Sequence, residues 1–259
     1  MKYKRLYTFG CSFTRWYWPT WADIIAYDTK LPYENWAESG SGNVGIANRM
    51  LECDLTNKFT KRDMVLVCWS TFCREDRYIR PDGWIFGGNI FNSRMYDDAF
   101  REKYHNSAND IIKNMHSIIT SRRSFPIAYE AQITESLGSD IIESGDDIWQ
   151  GKLEHIIDFY KPYQVKNIFP WDHNHQAPFE NYAPNWDGHP DIQAHLKFVT
   201  EYIYPSLGLA IKQSTVDHFM ELQDHITKKA KTQTFKKFKD IKAWFDKTID
   251  HPDRKIGMI

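Results

Sequence analysis

Leu6 to Phe9 is a short apolar run with β-branched and aromatic character, and Gly10 breaks it. That pattern predicts a buried strand ending in a glycine turn. A helix is expected over 16–27, with Trp18, Trp21, Ile24 and Ile25 on one side and Pro19 near its start. The stretch from Glu34 to Asn43 predicts a short strand running into a Ser/Gly/Asn loop, followed by a helix over 44–55. Residues 63–69, Asp-Met-Val-Leu-Val-Cys-Trp, form the clearest buried strand, and the charged run Arg74-Glu75-Asp76-Arg77 follows soon after. Residues 79–96 are rich in glycine, asparagine and aromatics without periodicity, and predict an excursion over the surface. A long helix is expected over 96–122, because Ile111, Ile112, Met115, Ile118 and Ile119 share one face. A strand over 125–133, a helix over 152–160, a last strand over 165–169 and a helix over 191–204 complete the series.

Strand, loop and helix repeated in this order predict an α/β fold with a parallel sheet covered on both faces. Beyond Leu209 the composition shifts. Residues 215–249 are lysine-rich and helical in pattern, with Phe235, Phe238, Ile241, Trp244 and Phe245 spaced as an apolar face. The expected organisation is an α/β domain over 1–210 and a helical C-terminal extension over 211–259. The extension is expected to fold back on the domain or to contact a protein partner or a second copy. The lysines from Lys228 to Lys239 read as a solvated face.

The 259 residues suffice for one substantial core, and a formal net charge of -1 argues against a whole-protein nucleic-acid binder. Aromatic residues make up 15% of the chain, which suits ring stacking as well as core packing. The cysteines Cys11, Cys53, Cys68 and Cys73 lack metal-type or framework spacing and read as reduced thiols. No apolar signal segment follows Met1-Lys2-Tyr3-Lys4-Arg5, and no apolar run is long enough to cross a membrane. A cytoplasmic protein without a membrane partner is expected, or a virion-associated one if the chain is a bacteriophage product.

Ser12 follows the first predicted strand, at the carboxyl end where α/β sheets bind ligands. Two readings fit it: a nucleophile on a tight turn, or a serine capping the next helix. The order of the later blocks bears on the choice. Gly10-Cys11-Ser12-Phe13-Thr14, then Asn35 five residues before Gly40, then Asp187-Gly188-His189-Pro190 ahead of a helix, resembles the SGNH (GDSL-like) hydrolase family. The resemblance runs over residues 5–208 in short islands.

It implies a flavodoxin-like three-layer α/β/α fold, with the helical extension as an appendage, and a serine esterase without metal or cofactor. Ser12 would attack, His189 would carry the proton and Asp187 would orient the ring. Ser12, Gly40 and a hydroxyl of Ser70 or Thr71 would make the oxyanion hole, with Asn43 and Arg74 beside the substrate. The substrate implied is an acylated small molecule or carbohydrate, with a small acyl group such as acetyl. Two departures stand out. The family's Gly-x-Asn-Asp block is Trp69-Ser70-Thr71-Phe72 here, and the acid-to-histidine spacing is one residue short. Asp172 is a second candidate to orient the ring. The departures leave open a catalytically weakened binding or structural module. Asp172, His173 and His175 also contain metal-type ligands, but the polarity of a surface loop accounts for them.

Overall fold

The structure is a computed structural model, and it describes residues 2–79, 83–91, 96–134, 137, 150–170 and 189–231. Its centre is a parallel sheet of β1 (Arg5–Gly10), β2 (Tyr33–Asn35), β3 (Asp63–Trp69) and β6 (Ile127–Gln132), in the order β2-β1-β3-β6. Ile168 adds a single parallel bridge to Gln132 on the outer side. Between β3 and β6 the chain makes a separate antiparallel hairpin of β4 (Arg74–Ile79) and β5 (Gly83–Asn89). Without that hairpin, the order is the 2-1-3-4-5 arrangement of flavodoxin-like sheets, whose switch point lies between β1 and β3.

Alternation along the central strands sends side chains into two cores. Leu6, Met64, Leu66, Cys68 and Ala131 face α1 (Trp21–Thr29), α6 (Ile192–Phe198) and α8 (Gln213–Lys231). Tyr7, Phe9, Val65, Val67 and Trp69 face α2 (Asn43–Asn57), α4 (Ser107–Ser124) and α5 (Gln150–Tyr160). The result is three layers, helices on both faces of a parallel sheet. Every residue of β3 is buried, as a central strand covered on both sides requires. Its one charge, Asp63, meets the Arg5 guanidinium at 2.7 and 2.8 Å and locks the start of β1 to that of β3. Burial alone would raise the Asp63 carboxyl, but Arg5 and the Thr60 N–H and hydroxyl hold it below the usual carboxylate range.

Several elements differ from the sequence expectation, each for a local reason. α1 begins at Trp21 rather than 16, because the Asp23 carboxylate accepts from the Thr20 N–H at 2.9 Å and caps the helix there. Within the stretch 79–96, expected to lack regular structure, Gly83–Asn89 forms β5 and pairs antiparallel with β4 (Arg74–Ile79). The expected helix over 96–122 is split into α3 (Asp98–Tyr104) and α4, where the Asn106 side chain accepts from the Asn109 N–H and restarts the helix. The expected last strand shrinks to its bridge at Ile168, where the Gln132 N–H donates to the Asn167 carbonyl at 2.9 Å and the Phe169 N–H donates to the Gln132 carbonyl at 2.7 Å. After α6, Val199–Ile203 widens into a π turn and then continues as α7 (Tyr204–Leu207), where Pro205 gives no N–H to the preceding turn.

α8 packs on the same core as α1, through Phe219, Leu222 and Ile226. Asp28, at the end of α1, fastens it. Its carboxylate accepts from Tyr204 Oη at 2.8 Å, the Lys212 N–H at 3.0 Å and Thr215 Oγ1 at 2.7 Å. Residues 232–259, with the apolar face from Phe235 to Phe245, lie outside the described residues. No helix among the described residues is long and apolar enough to cross a membrane.

Candidate active site

Gly10 pairs with Cys68 across β1 and β3, so Ser12 and Ser70 each emerge two residues beyond a matched position on adjacent strands. This is the switch point of such a sheet, the place where open α/β sheets bind ligands. Gly10 is needed at the exit, since a Cβ there would lie 2.1 Å from Thr14 Oγ1 and 2.9 Å from the Cys68 carbonyl oxygen. The chain then turns sharply, with the Thr14 and Arg15 N–H groups donating to the Cys11 carbonyl at 2.9 and 3.2 Å. Ser12, on this turn, is 4% exposed.

The loop after β2 is held alongside. The Glu38 N–H donates to the Gly10 carbonyl at 3.2 Å, and Asn35 Nδ2 reaches the Thr14 carbonyl at 3.0 Å. Gly40 has φ +84°, and a Cβ there would lie 2.5 Å from the Phe86 carbonyl oxygen. Its own carbonyl accepts from the Gly88 N–H at 3.1 Å, so the hairpin clamps this loop from outside. Asp76 of β4 completes the clamp. Its carboxylate accepts from the Gly42 and Gly45 N–H groups at 2.8 and 2.7 Å, at the N-terminus of α2. Burial pushes the Asp76 carboxyl up despite these bonds.

Asn43 and Arg74, expected beside substrate, have partners inside the protein. Asn43 is fully buried; its Oδ1 accepts from the Ser70 N–H at 2.7 Å and its Nδ2 donates to the Ser70 carbonyl at 3.0 Å. Gln132 Nε2 donates to the same carbonyl at 3.1 Å. Arg74 Nη1 donates to the Ser41 carbonyl at 3.2 Å. The hydroxyls of Ser70 and Thr71 are buried and have no hydrogen-bond partner among the described residues.

His189 stands over the loop after β1. Its ring stacks on Trp16 with centroids 3.6 Å apart and planes at 11°, and lies 5.7 Å from the Phe13 ring. Trp18 Nε1 donates to the Pro190 carbonyl at 2.8 Å and anchors the next residue. Asp191 then caps α6 by accepting from the Ala194 N–H at 2.8 Å. The structure therefore brings Ser12, Gly40, Ser70, Thr71 and His189 to one end of the sheet. Asp187, Asp172, His173 and His175 lie outside the described residues.

Nothing in the sequence singles out two further histidines, His195 and His105, as chemistry. His195 of α6 is buried, and burial, helped by the neighbouring His189, lowers its imidazole to about 3. At the start of α4, His105 Nδ1 lies 2.9 Å from Asp110 Oδ2 and Ser107 Oγ lies 3.3 Å from His105 Nε2. That series is confined to one helix start, and Lys113 takes the other Asp110 oxygen at 2.9 Å.

No family model and no curated protein matches the chain. Among solved structures, a member of the lipolytic G-D-S-L family from Veillonella parvula DSM 2008 is similar at a TM-score of 0.41 and 12% identity, covering 77% of this chain and 98% of that one. A protein assigned to the same lipolytic family from Desulfitobacterium hafniense DCB-2 has a TM-score of 0.40 and 12% identity, covering 79% of this chain and 99% of that one. A carbohydrate esterase with divergent catalytic and non-catalytic binding functions has a TM-score of 0.42 and 12% identity, covering 82% of this chain and 66% of that one.

Two tests follow from the geometry. Asp76→Ala leaves two N–H groups at the α2 N-terminus unpaired, and a loss of about 1–3 kcal/mol is expected in urea unfolding. Asp76→Asn, which keeps one acceptor, loses less. For His195, the unfolded imidazole takes up a proton as pH falls below its ordinary 6.5 while the folded one stays neutral until about 3, so stability drops over that window. Between pH 7 and pH 5 the wild type is expected to lose roughly 1–2 kcal/mol more than His195→Gln. Equal losses in the two proteins contradict the assignment.

Proposed function

We propose that the chain is a serine esterase of the SGNH type, cleaving a small acyl ester through an acyl-enzyme. What supports this reading is that Ser12, Gly40, Ser70, Thr71 and His189 lie at the same end of the sheet, with the His189 ring 5.7 Å from that of Phe13, the residue after Ser12, and with Ser70 and Thr71 hydroxyls that have no partner among the described residues. A serine hydroxyl is a weak nucleophile until an imidazole takes its proton. In the proposed sequence Ser12 Oγ bonds to the acyl carbon while its proton passes to His189. The N–H groups of Ser12 and Gly40, with a hydroxyl of Ser70 or Thr71, donate to the oxyanion that forms. His189 returns the proton to the departing alcohol oxygen as the ester bond breaks. Water then attacks the Ser12 ester with His189 as base, releasing the acid and restoring the serine. Asp187 is the proposed partner for the other ring nitrogen, keeping the imidazole in the tautomer the reaction needs.

An acetyl ester on a carbohydrate or small molecule is the proposed substrate. The parallel rings of Trp84 and Phe86, 6.2 Å apart on the hairpin that clamps Gly40, put flat apolar surface beside that loop. A second reading, an SGNH-fold binding or structural module, is favoured by one feature. Ser70 and Thr71 stand where the family carries an asparagine amide, and loss of one oxyanion donor costs about a hundredfold or more in rate elsewhere.

Hydrolysis of p-nitrophenyl acetate by wild type and Ser12→Ala, with chelator throughout, separates the two. The esterase reading expects turnover by the wild type and loss of roughly a thousandfold or more in the variant. No turnover in either protein favours the module.

A further inference from the structure

We infer that Trp16 is a positioning residue for His189, holding the imidazole ring in the plane that proton transfer requires. The inference rests on the esterase reading and adds to it a residue that neither motif nor spacing assigns. A catalytic histidine needs its ring fixed in rotation as well as in tautomer. A hydrogen bond at one ring nitrogen leaves the ring free to swing about that bond, and a stacked neighbour removes this freedom. The indole of Trp16 lies 3.6 Å from the His189 ring at an interplanar angle of 11°, a full face-to-face contact.

The indole is itself braced. Tyr17 and Trp18 meet it edge-on, with centroids 4.8 and 6.1 Å away and planes at 67° and 88°. Trp18 also holds the backbone of the adjoining Pro190 through its Nε1. Phe13 approaches the imidazole at a tilt of 53°. All of these aromatic residues lie in the same short loop as Ser12, so one segment sets both the nucleophile and the plane of its base. The stack has a second consequence for the chemistry. When Ser12 gives up its proton the imidazole becomes a cation, and an indole face attracts a cation lying against it. A contact that strengthens as that charge develops acts on turnover rather than on substrate binding.

The test compares full-length wild type, Trp16→Leu and Trp16→Phe in p-nitrophenyl acetate hydrolysis, with proton NMR of the His189 ring assigned through His189→Gln. In the wild type the ring signals are expected upfield, displaced by the indole ring current, and they return toward ordinary positions in Trp16→Leu. Turnover in Trp16→Leu is expected to fall roughly 10- to 100-fold while KM changes less than about threefold. Trp16→Phe, which keeps a smaller ring, recovers part of the turnover, and it carries the comparison if Trp16→Leu does not fold. Unchanged kcat in Trp16→Leu, or a rise in KM alone, overturns the positioning role while leaving the esterase reading intact. A wild type that shows the upfield ring signals but no hydrolysis overturns the esterase reading, and the positioning role with it.

Discussion

The two hydrogen bonds between the Asn43 amide and the backbone of Ser70 are the constraint on which the candidate site depends. They join the first residue of α2, just past the loop after β2, to the end of β3, and the sheet order places β2 and β3 on either side of β1. Because the Asn43 side chain is fully buried, an unmet donor or acceptor there carries its whole desolvation cost. Gln132 adds a third bond at the same carbonyl, so the tip of β3 is fixed from both sides. With its backbone occupied, Ser70 leaves only its hydroxyl to offer a ligand.

Around that lock the hairpin acts as an outer brace. Gly40 and Gly42 can sit against it because they have no side chain, and Asp76 supplies the negative charge that the α2 N-terminus favours. The brace has a cost, since burial works against the Asp76 charge, and the bonds from Gly42 and Gly45 offset it in part. On the other side of β1, the aromatic loop that follows Ser12 carries His189. The proposed nucleophile and its proposed base therefore depend on one segment, while the other proposed oxyanion donors, Gly40 and Ser70 or Thr71, lie on two others joined through Asn43.

The central strands were legible in the sequence because β1 and β3 are buried on both faces and read as unbroken apolar runs. The helix starts at Asn43 and Ile192 were legible for a similar reason, from the polar residues that precede apolar periodicity. The hairpin was not, because Arg74 and Asp76 look like surface charges until their partners, Ser41, Gly42 and Gly45, are known. These contacts span about thirty residues and leave no periodic trace. Trp16 was hidden differently. Trp18, Trp21, Ile24 and Ile25 fall at helical spacing, which drew Trp16 into a predicted helix, whereas its ring belongs to His189 at the far end of the chain. Ser12 and Gly40 could be placed just beyond strand ends because glycines mark the tight turns around them. The bonds from Asn43 to Ser70 could not be read, since they join residues 27 apart and leave no local trace.

The most direct test of the central claim is to treat the wild type with a fluorophosphonate and map the modified residue by mass spectrometry. Only a serine activated by a nearby base reacts readily. The account predicts one modified residue, Ser12, with labelling abolished in Ser12→Ala and strongly slowed in His189→Gln. Absence of labelling, or labelling at another serine such as Ser107 beside His105, contradicts it.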